Sequence, residues 1–195
     1  LTFALILDLL RRVTEGDRII RKGRWTHLYG AYDYVGTDIS GKILGILGFG
    51  RIGAAVAKRA KAFGMNIIYH NRHRLSKNTE KSLGVKYVTF DQLFKKSDIV
   101  SIHVPYTKET HELVNIKLFK KMKKTSFIIN TARGKIIKEN DLIYALKKKI
   151  IAGAALDVFR NEPIGLNNPL TKMQNVVLSP HIGSKRCDFN RNSQL

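Results

Sequence analysis

Three charged or titratable residues lie just past apolar runs in the second half of the chain. Arg133 ends Ile129-Asn-Thr-Ala-Arg133, Glu162 ends Ala154-Ala-Leu-Asp-Val-Phe-Arg-Asn-Glu162, and His181 sits within Leu178-Ser-Pro-His-Ile-Gly183. If the apolar runs are parallel strands, their carboxyl ends line one crevice where the three side chains can meet. The set suits hydride transfer to a 2-keto acid. Arginine can grip the substrate carboxylate in a forked contact and polarise the neighbouring carbonyl. Histidine, with an ordinary pKa near neutrality, can supply the proton as hydride arrives, and glutamate can orient the imidazole and keep it charged. Singly, each residue has a plainer reading: an ion-pair partner for Arg133, a solvated loop position for Glu162, a satisfied core histidine for His181. Together, in this order, they favour chemistry.

Hydride chemistry needs a carrier, and the first half of the chain has a place for one. The apolar run Ile43-Leu-Gly-Ile-Leu47 leads into Gly48-Phe-Gly-Arg-Ile-Gly53 and an alanine-rich stretch, and a second run, Asn66-Ile-Ile-Tyr69, follows at βαβ distance. In that context Gly48 permits a tight turn, Gly50 lets backbone approach a pyrophosphate, and Gly53 allows close helix–strand packing. The helix that starts there offers unpaired N–H groups and partial positive charge to phosphates. An NAD site usually ends its second strand with an acidic residue that binds the adenine ribose. Here the chain reads Tyr69-His-Asn-Arg-His-Arg74, and no acidic residue occurs from Ala54 to Thr79. Asn71 can bond a ribose oxygen and Arg72 can pair with a 2′-phosphate, so NADP(H) is the preferred cofactor, with NAD(H) second.

The elements needed to position these groups are legible as alternating runs. Continuous apolar strands are predicted at 43–47, 66–69, 99–104, 126–130, 152–158 and 176–178, with a short one at 87–90. Helices are predicted at 52–63, 91–96, 115–122 and 139–148. The alternation defines an α/β domain, a Rossmann-like doubly wound parallel sheet. Ahead of it, apolar residues at helical spacing predict one long helix over 1–25. Its first turns are apolar nearly all round and require cover from the domain's own core or from a partner subunit.

Composition excludes other classes. The 195 residues carry 35 Lys and Arg against 15 Asp and Glu, a formal charge of +20, with 44% hydrophobic residues and one cysteine. That suits one packed domain and neither a low-complexity nor a collagenous chain. Cys187 alone builds no disulfide framework, which favours a reducing, cytoplasmic setting. The apolar start at Leu1 has neither the basic flank of a signal peptide nor the length of a membrane span. No Cys/His spacing suggests a metal. The excess charge raises nucleic-acid binding as a rival function, ranked second because no nucleic-acid motif accompanies the dispersed lysines, and no specific nucleic acid is expected.

Taken together, the motifs resemble the D-isomer-specific 2-hydroxyacid dehydrogenases, within them the glyoxylate/hydroxypyruvate reductase branch. The likeness runs through Arg21-Lys-Gly-Arg-Trp25, the glycine turn, Asp98-Ile-Val-Ser-Ile-His-Val-Pro105, Asn130-Thr-Ala-Arg-Gly134, Ala155-Leu-Asp-Val-Phe159 and Ser179-Pro-His-Ile-Gly183. It implies that Arg133 binds a small 2-keto or 2-hydroxy acid, that Glu162 pairs with His181, and that His181 donates the proton. It also implies that Arg51 and Ile52 contact the pyrophosphate, that Pro105, Thr131 and Ala132 border the cofactor, and that Asp157 meets the nicotinamide carboxamide. Asp157 has an independent rationale, since a carboxylate ending an apolar strand is costly without donors. The implied organisation is an interface helix and connection over 1–30, which joins two copies into a homodimer, a cofactor domain over 31–184, and a disordered tail over 185–195. Relatives carry a second, substrate-covering domain and an acidic residue where Arg160 stands. The chain therefore reads as part of a longer protein, a cofactor-binding module with little turnover alone. A non-catalytic subunit that joins full-length relatives is the remaining alternative.

Overall fold

The computed structural model describes residues 1–25 and 35–184. Seven strands form one all-parallel sheet: β1 Ile43–Leu47, β2 Asn66–His70, β3 Lys86–Tyr87, β4 Ile99–Ile102, β5 Phe127–Asn130, β6 Gly153–Leu156 and β7 Val176–Leu178. Their spatial order is β3-β2-β1-β4-β5-β6-β7. The chain builds outward from β1 to β3, then crosses back to lay β4 on the other side of β1. The winding direction reverses there, which opens a crevice outside the carboxyl ends of β1 and β4. Register keeps those ends level, with Leu47 opposite both His70 and Ile102.

The strands are apolar without alternation because both faces are covered. On one face lie α1 Thr2–Arg11 and α3 Arg51–Ala62, which bury Leu5, Ile6, Val56 and Ala60 against Leu44, Ile46 and Ile129. On the other lie α5 Phe90–Lys96, α6 Ile116–Phe119 and α7 Glu139–Lys147, which bury Leu93, Phe94, Phe119 and Leu142 against Val100, Ile128 and Ala154. A further helix, α4 Lys77–Leu83, links β2 to β3.

The expected single helix over 1–25 is two helices. Arg12 adopts left-handed geometry at φ 56 and separates α1 from α2, Val13–Arg21. The Asp8 carboxylate, on the last turn of α1, accepts the Thr14 N–H at 2.7 Å and so satisfies an orphan donor at the start of α2. The apolar turns of α1 are covered by the domain's own sheet, at β5, β6 and β7. By contrast α2 buries none of its residues, and Val13 and Ile20 are exposed.

Other departures are local. α4 has no apolar face to read, and its boundaries come from Ser76, whose hydroxyl accepts the Thr79 N–H, and from Gly84, left-handed at φ 62. Phe90 opens α5 instead of ending a strand, because Thr89 and Gln92 form a capping box. α6 stops at Phe119, and β4 and β6 are shorter than the apolar runs that contain them. The predicted tail at 185–195 and the connection at 26–34 lie outside the described residues.

Candidate active site

At the crevice the three glycines of the turn differ in what surrounds them. Gly48 sits at φ +92, and a Cβ there would lie 2.7 Å from the backbone of His103 and Val104. A Cβ on Gly53 would lie 2.4 Å from the Gly48 carbonyl oxygen, so this glycine lets α3 pack against the strand end. Gly50 has an ordinary φ of −88, and a Cβ on it would meet nothing within 4 Å. Neither backbone strain nor protein packing calls for glycine at position 50. The space above its backbone is open. α3 begins beside it with no side-chain cap and no acidic residue in its first turn, so its partial positive charge is uncompensated. Arg51 and Ile52 are exposed at this opening.

The loop after β2 is tied to the glycine turn. Gly48 N–H donates to the His70 carbonyl at 3.0 Å, and Phe49 N–H donates to Asn71 Oδ1 at 3.3 Å. Arg72 is exposed. Its neighbour Arg74 is not available to a phosphate in the same way, because Glu80 accepts both its Nε and Nη2 at 2.8 and 2.7 Å. Glu80 also accepts the Tyr69 hydroxyl at 2.8 Å, and the Arg74 guanidinium lies 5.2 Å from the centre of the Tyr87 ring. The Arg74 hydrogen bonds are the main reason that Glu80 is pulled down from 4.5 to about 2. Across the opening, Pro105 is exposed and its carbonyl accepts the Thr110 hydroxyl at 2.7 Å. Glu109 in the same turn is held below the usual carboxylate range, first by the Thr107 hydroxyl, with the charge of Arg72 adding to it. His103 behind the turn lies 2.8 Å from the Ser101 hydroxyl, and burial pushes it down to about 4.

Arg133, Glu162 and His181 are brought to the same edge. His181 Nδ1 lies 2.7 Å from Glu162 Oε2, and Glu162 Oε1 accepts the Phe159 N–H at 2.9 Å. Burial opposes ionisation of Glu162, yet the His181 and Phe159 hydrogen bonds and the charges of His181 and Arg133 hold it below its ordinary value. The Arg133 and Glu162 loops are packed backbone to backbone: a Cβ on Gly134 would fall 2.0 Å from the Phe159 carbonyl. Arg160, the unusual positive charge in this loop, pairs with Glu112 at 3.1 Å.

Two buried polar residues at adjacent strand ends hold these loops. Asn130 Oδ1 accepts the Ala132 N–H and its Nδ2 donates to the Arg133 carbonyl, both at 3.0 Å. Asp157 accepts the Ser179 hydroxyl at 2.6 Å and the N–H groups of Ile182 and Gly183 at 3.0 and 2.8 Å. The residue expected against the cofactor thus has both oxygens engaged within the protein, on the turn that carries His181 at φ 53. Asn130 and Ser179 escaped the sequence reading. The signal for Asn130 is the one that singled out Asp157, a polar residue ending an apolar strand. Thr131 and Ala132 are half-buried beside it, with the Thr131 hydroxyl 3.2 Å from that of Thr2. Among the described residues, no cluster of three or more His, Cys, Asp or Glu could hold a metal, and no helix is long and apolar enough to cross a membrane.

A bare glycine under an uncapped helix start, at the reversal point of a doubly wound sheet, defines a dinucleotide-binding domain. Residues 3–183 match the family described as D-isomer specific 2-hydroxyacid dehydrogenase, NAD binding domain, and the chain belongs to that family. It is 48% identical over 182 residues to a glyoxylate reductase of Korarchaeum cryptofilum, covering 93% of this chain and 54% of that one. A glyoxylate reductase of Thermococcus litoralis is 49% identical, with 94% and 56% covered. Among solved structures, a glyoxylate reductase from Paecilomyes thermophila superposes with a TM-score of 0.85 at 40% identity, over 95% of this chain and 54% of that one. The chain therefore spans about half the length of the curated relatives it matches.

Removing the Asp157 carboxylate with Asp157→Ala leaves three donors unpaired. It is expected to lower unfolding free energy by about 1–3 kcal/mol in urea titrations and to move the His181 ring resonances in NMR spectra. Unchanged resonances would show that Asp157 does not hold that turn. Glu80 has a lowered folded-state pKa, so its contribution is complete above 4.5 and is lost as pH falls towards about 2. Glu80→Gln should therefore lower the melting temperature at pH 7, and the gap to wild type should close over that acid interval.

Proposed function

We propose that this chain is the cofactor-binding and catalytic half of a D-2-hydroxyacid dehydrogenase that reduces glyoxylate or hydroxypyruvate and prefers NADPH to NADH. The observation that carries the reading is the 2.7 Å pairing of His181 with Glu162, beside Arg133 at the edge that holds the bare Gly50 turn. The nicotinamide supplies the hydride when bound.

The protein's own groups do the rest. The turn from Gly48 to Gly53, with Arg51 and Ile52 at its mouth, receives the pyrophosphate on the α3 N-terminus. Asn71 bonds the ribose and Arg72 holds the 2′-phosphate, with no carboxylate at the end of β2 to repel it. Pro105, Thr131 and Ala132 wall the cleft. Arg133 grips the substrate carboxylate. Glu162 fixes the imidazole through Nδ1, which leaves Nε2 to deliver a proton to the forming alkoxide. Asp157, expected against the carboxamide, is buried with both oxygens engaged and acts through the 179–183 turn that it holds. The names of the two archaeal relatives support the substrate class. A homodimer through the 1–25 segment is supported by Val13 and Ile20 of α2, which are exposed among the described residues.

Fluorescence titration of the chain should show tighter binding of NADPH than NADH, and Arg72→Ala should reduce that ratio by about tenfold or more. Equal affinities, or a ratio unmoved by the substitution, would overturn the cofactor assignment. With a substrate-covering half supplied alongside, His181→Gln should lower NADPH-dependent glyoxylate reduction by about 10²–10⁴-fold with NADPH affinity retained. Reduction that survives it would remove His181 from the mechanism.

A further inference from the structure

The formal charge of +20 is not spread evenly over the fold. Because all seven strands run the same way, every segment returning from a helix to the next strand reaches the same edge of the sheet, opposite the cofactor turn. Lysines gather on those returns. Lys61 closes α3, Lys81 and Lys86 flank the approach to β3, and Lys95 and Lys96 close α5 ahead of β4. Lys124 precedes β5, and Lys147-Lys-Lys149 precedes β6. All are exposed, and none pairs with a carboxylate among the described residues.

The carboxylates on this edge are already engaged. Asp98 pairs with Lys123 at 2.7 Å, Glu15 pairs with Arg12 at 2.7 Å, Asp8 accepts the Thr14 N–H at 2.7 Å, and Asp38 accepts the Ser40 N–H at 3.1 Å. Cations at helix carboxyl ends complement the helix dipole. That accounts for one or two lysines per helix, not for an edge whose acidic groups, among the described residues, are already engaged. At the β1–β2–β3 end lies an open groove of about 590 Å³ lined by Lys61, Lys77, Lys81 and Lys86 together with Glu80, Met65 and Ile67.

We infer that this basic edge binds the phosphate backbone of duplex nucleic acid without sequence preference, away from the cofactor cleft. The six strands from β3 to β6, at about 4.8 Å spacing, make a row of ammonium groups about 24 Å long, which matches a linear polyanion better than a single phosphate. Lysines are mobile point charges without the fixed fork that reads bases, so they suit backbone contact. Phe63, an exposed apolar ring near the α3 return, is stacked on Phe3 and so is not presented for insertion into a bilayer.

The test is fluorescence anisotropy with a labelled 20-base-pair DNA duplex of scrambled sequence, across a salt series. Wild type should bind with a log–log salt slope steeper than about −3, which corresponds to three or more phosphate contacts. Lys124→Glu/Lys148→Glu should weaken binding at least tenfold and flatten the slope, with NADPH affinity unchanged. The equal charge change at the opposite edge, Lys108→Glu/Lys135→Glu, should weaken it far less. Equal losses in both variants would reduce the effect to net charge and overturn the assignment. So would displacement of the duplex by NADPH, a marked preference for one sequence, or tighter association with anionic vesicles than with DNA.

Discussion

The Gly48 backbone comes so close to the peptide between His103 and Val104 that no side chain fits between them. That approach closes the sheet where its winding reverses. It is reinforced by His103 N–H, which donates to the Leu47 carbonyl at 2.7 Å, and by Gly48 N–H on the His70 carbonyl. Three strand ends are thereby fixed relative to one another before any ligand contact is considered. The helix start, the bare Gly50 and the Asn71–Arg72 loop all take their positions from that junction. A larger residue at position 48 would move every one of them together.

On the other half of the crevice, the corresponding constraint is polar. Asn130 and Asp157 end neighbouring strands, are 1% exposed, and have their side chains satisfied by the loops that follow. Burying a carboxylate is costly without donors, so Asp157 makes the 179–183 turn obligatory rather than optional. The His181 backbone accepts left-handed geometry within that turn. The hydrogen bonds to Glu80 work similarly on the far side, where they withdraw Arg74 from the cofactor opening and leave Arg72 exposed there with Arg51.

The sheet was legible because parallel strands covered on both faces are written as uninterrupted apolar runs, and because the glycine turn needs three glycines at fixed spacing. The pairing of Glu162 with His181 was legible from strand polarity taken together with the family likeness. What the sequence concealed was governed by side-chain hydrogen bonds instead of hydrophobic period. Asp8 and Thr14 break a helix that the apolar spacing runs through without interruption. Ser76 and Gly84 bound a helix with almost no apolar residue. Glu80, one position past an acid-free stretch, captures an arginine that composition had grouped with its neighbours. Asn130 looks like the tail of an apolar strand until its amide is seen closing the loop behind it.

The backbone contact between Gly134 and Phe159 makes one body of the segments that carry Arg133 and Glu162. With His181 held to Glu162, a small displacement of either loop transmits to all three groups, because close-packed peptide planes leave no slack to absorb it. The crevice wall would then move as a lever rather than as separate fingers. The relative placement of the three charges would stay constant while their distance from whatever lies across the cleft changes.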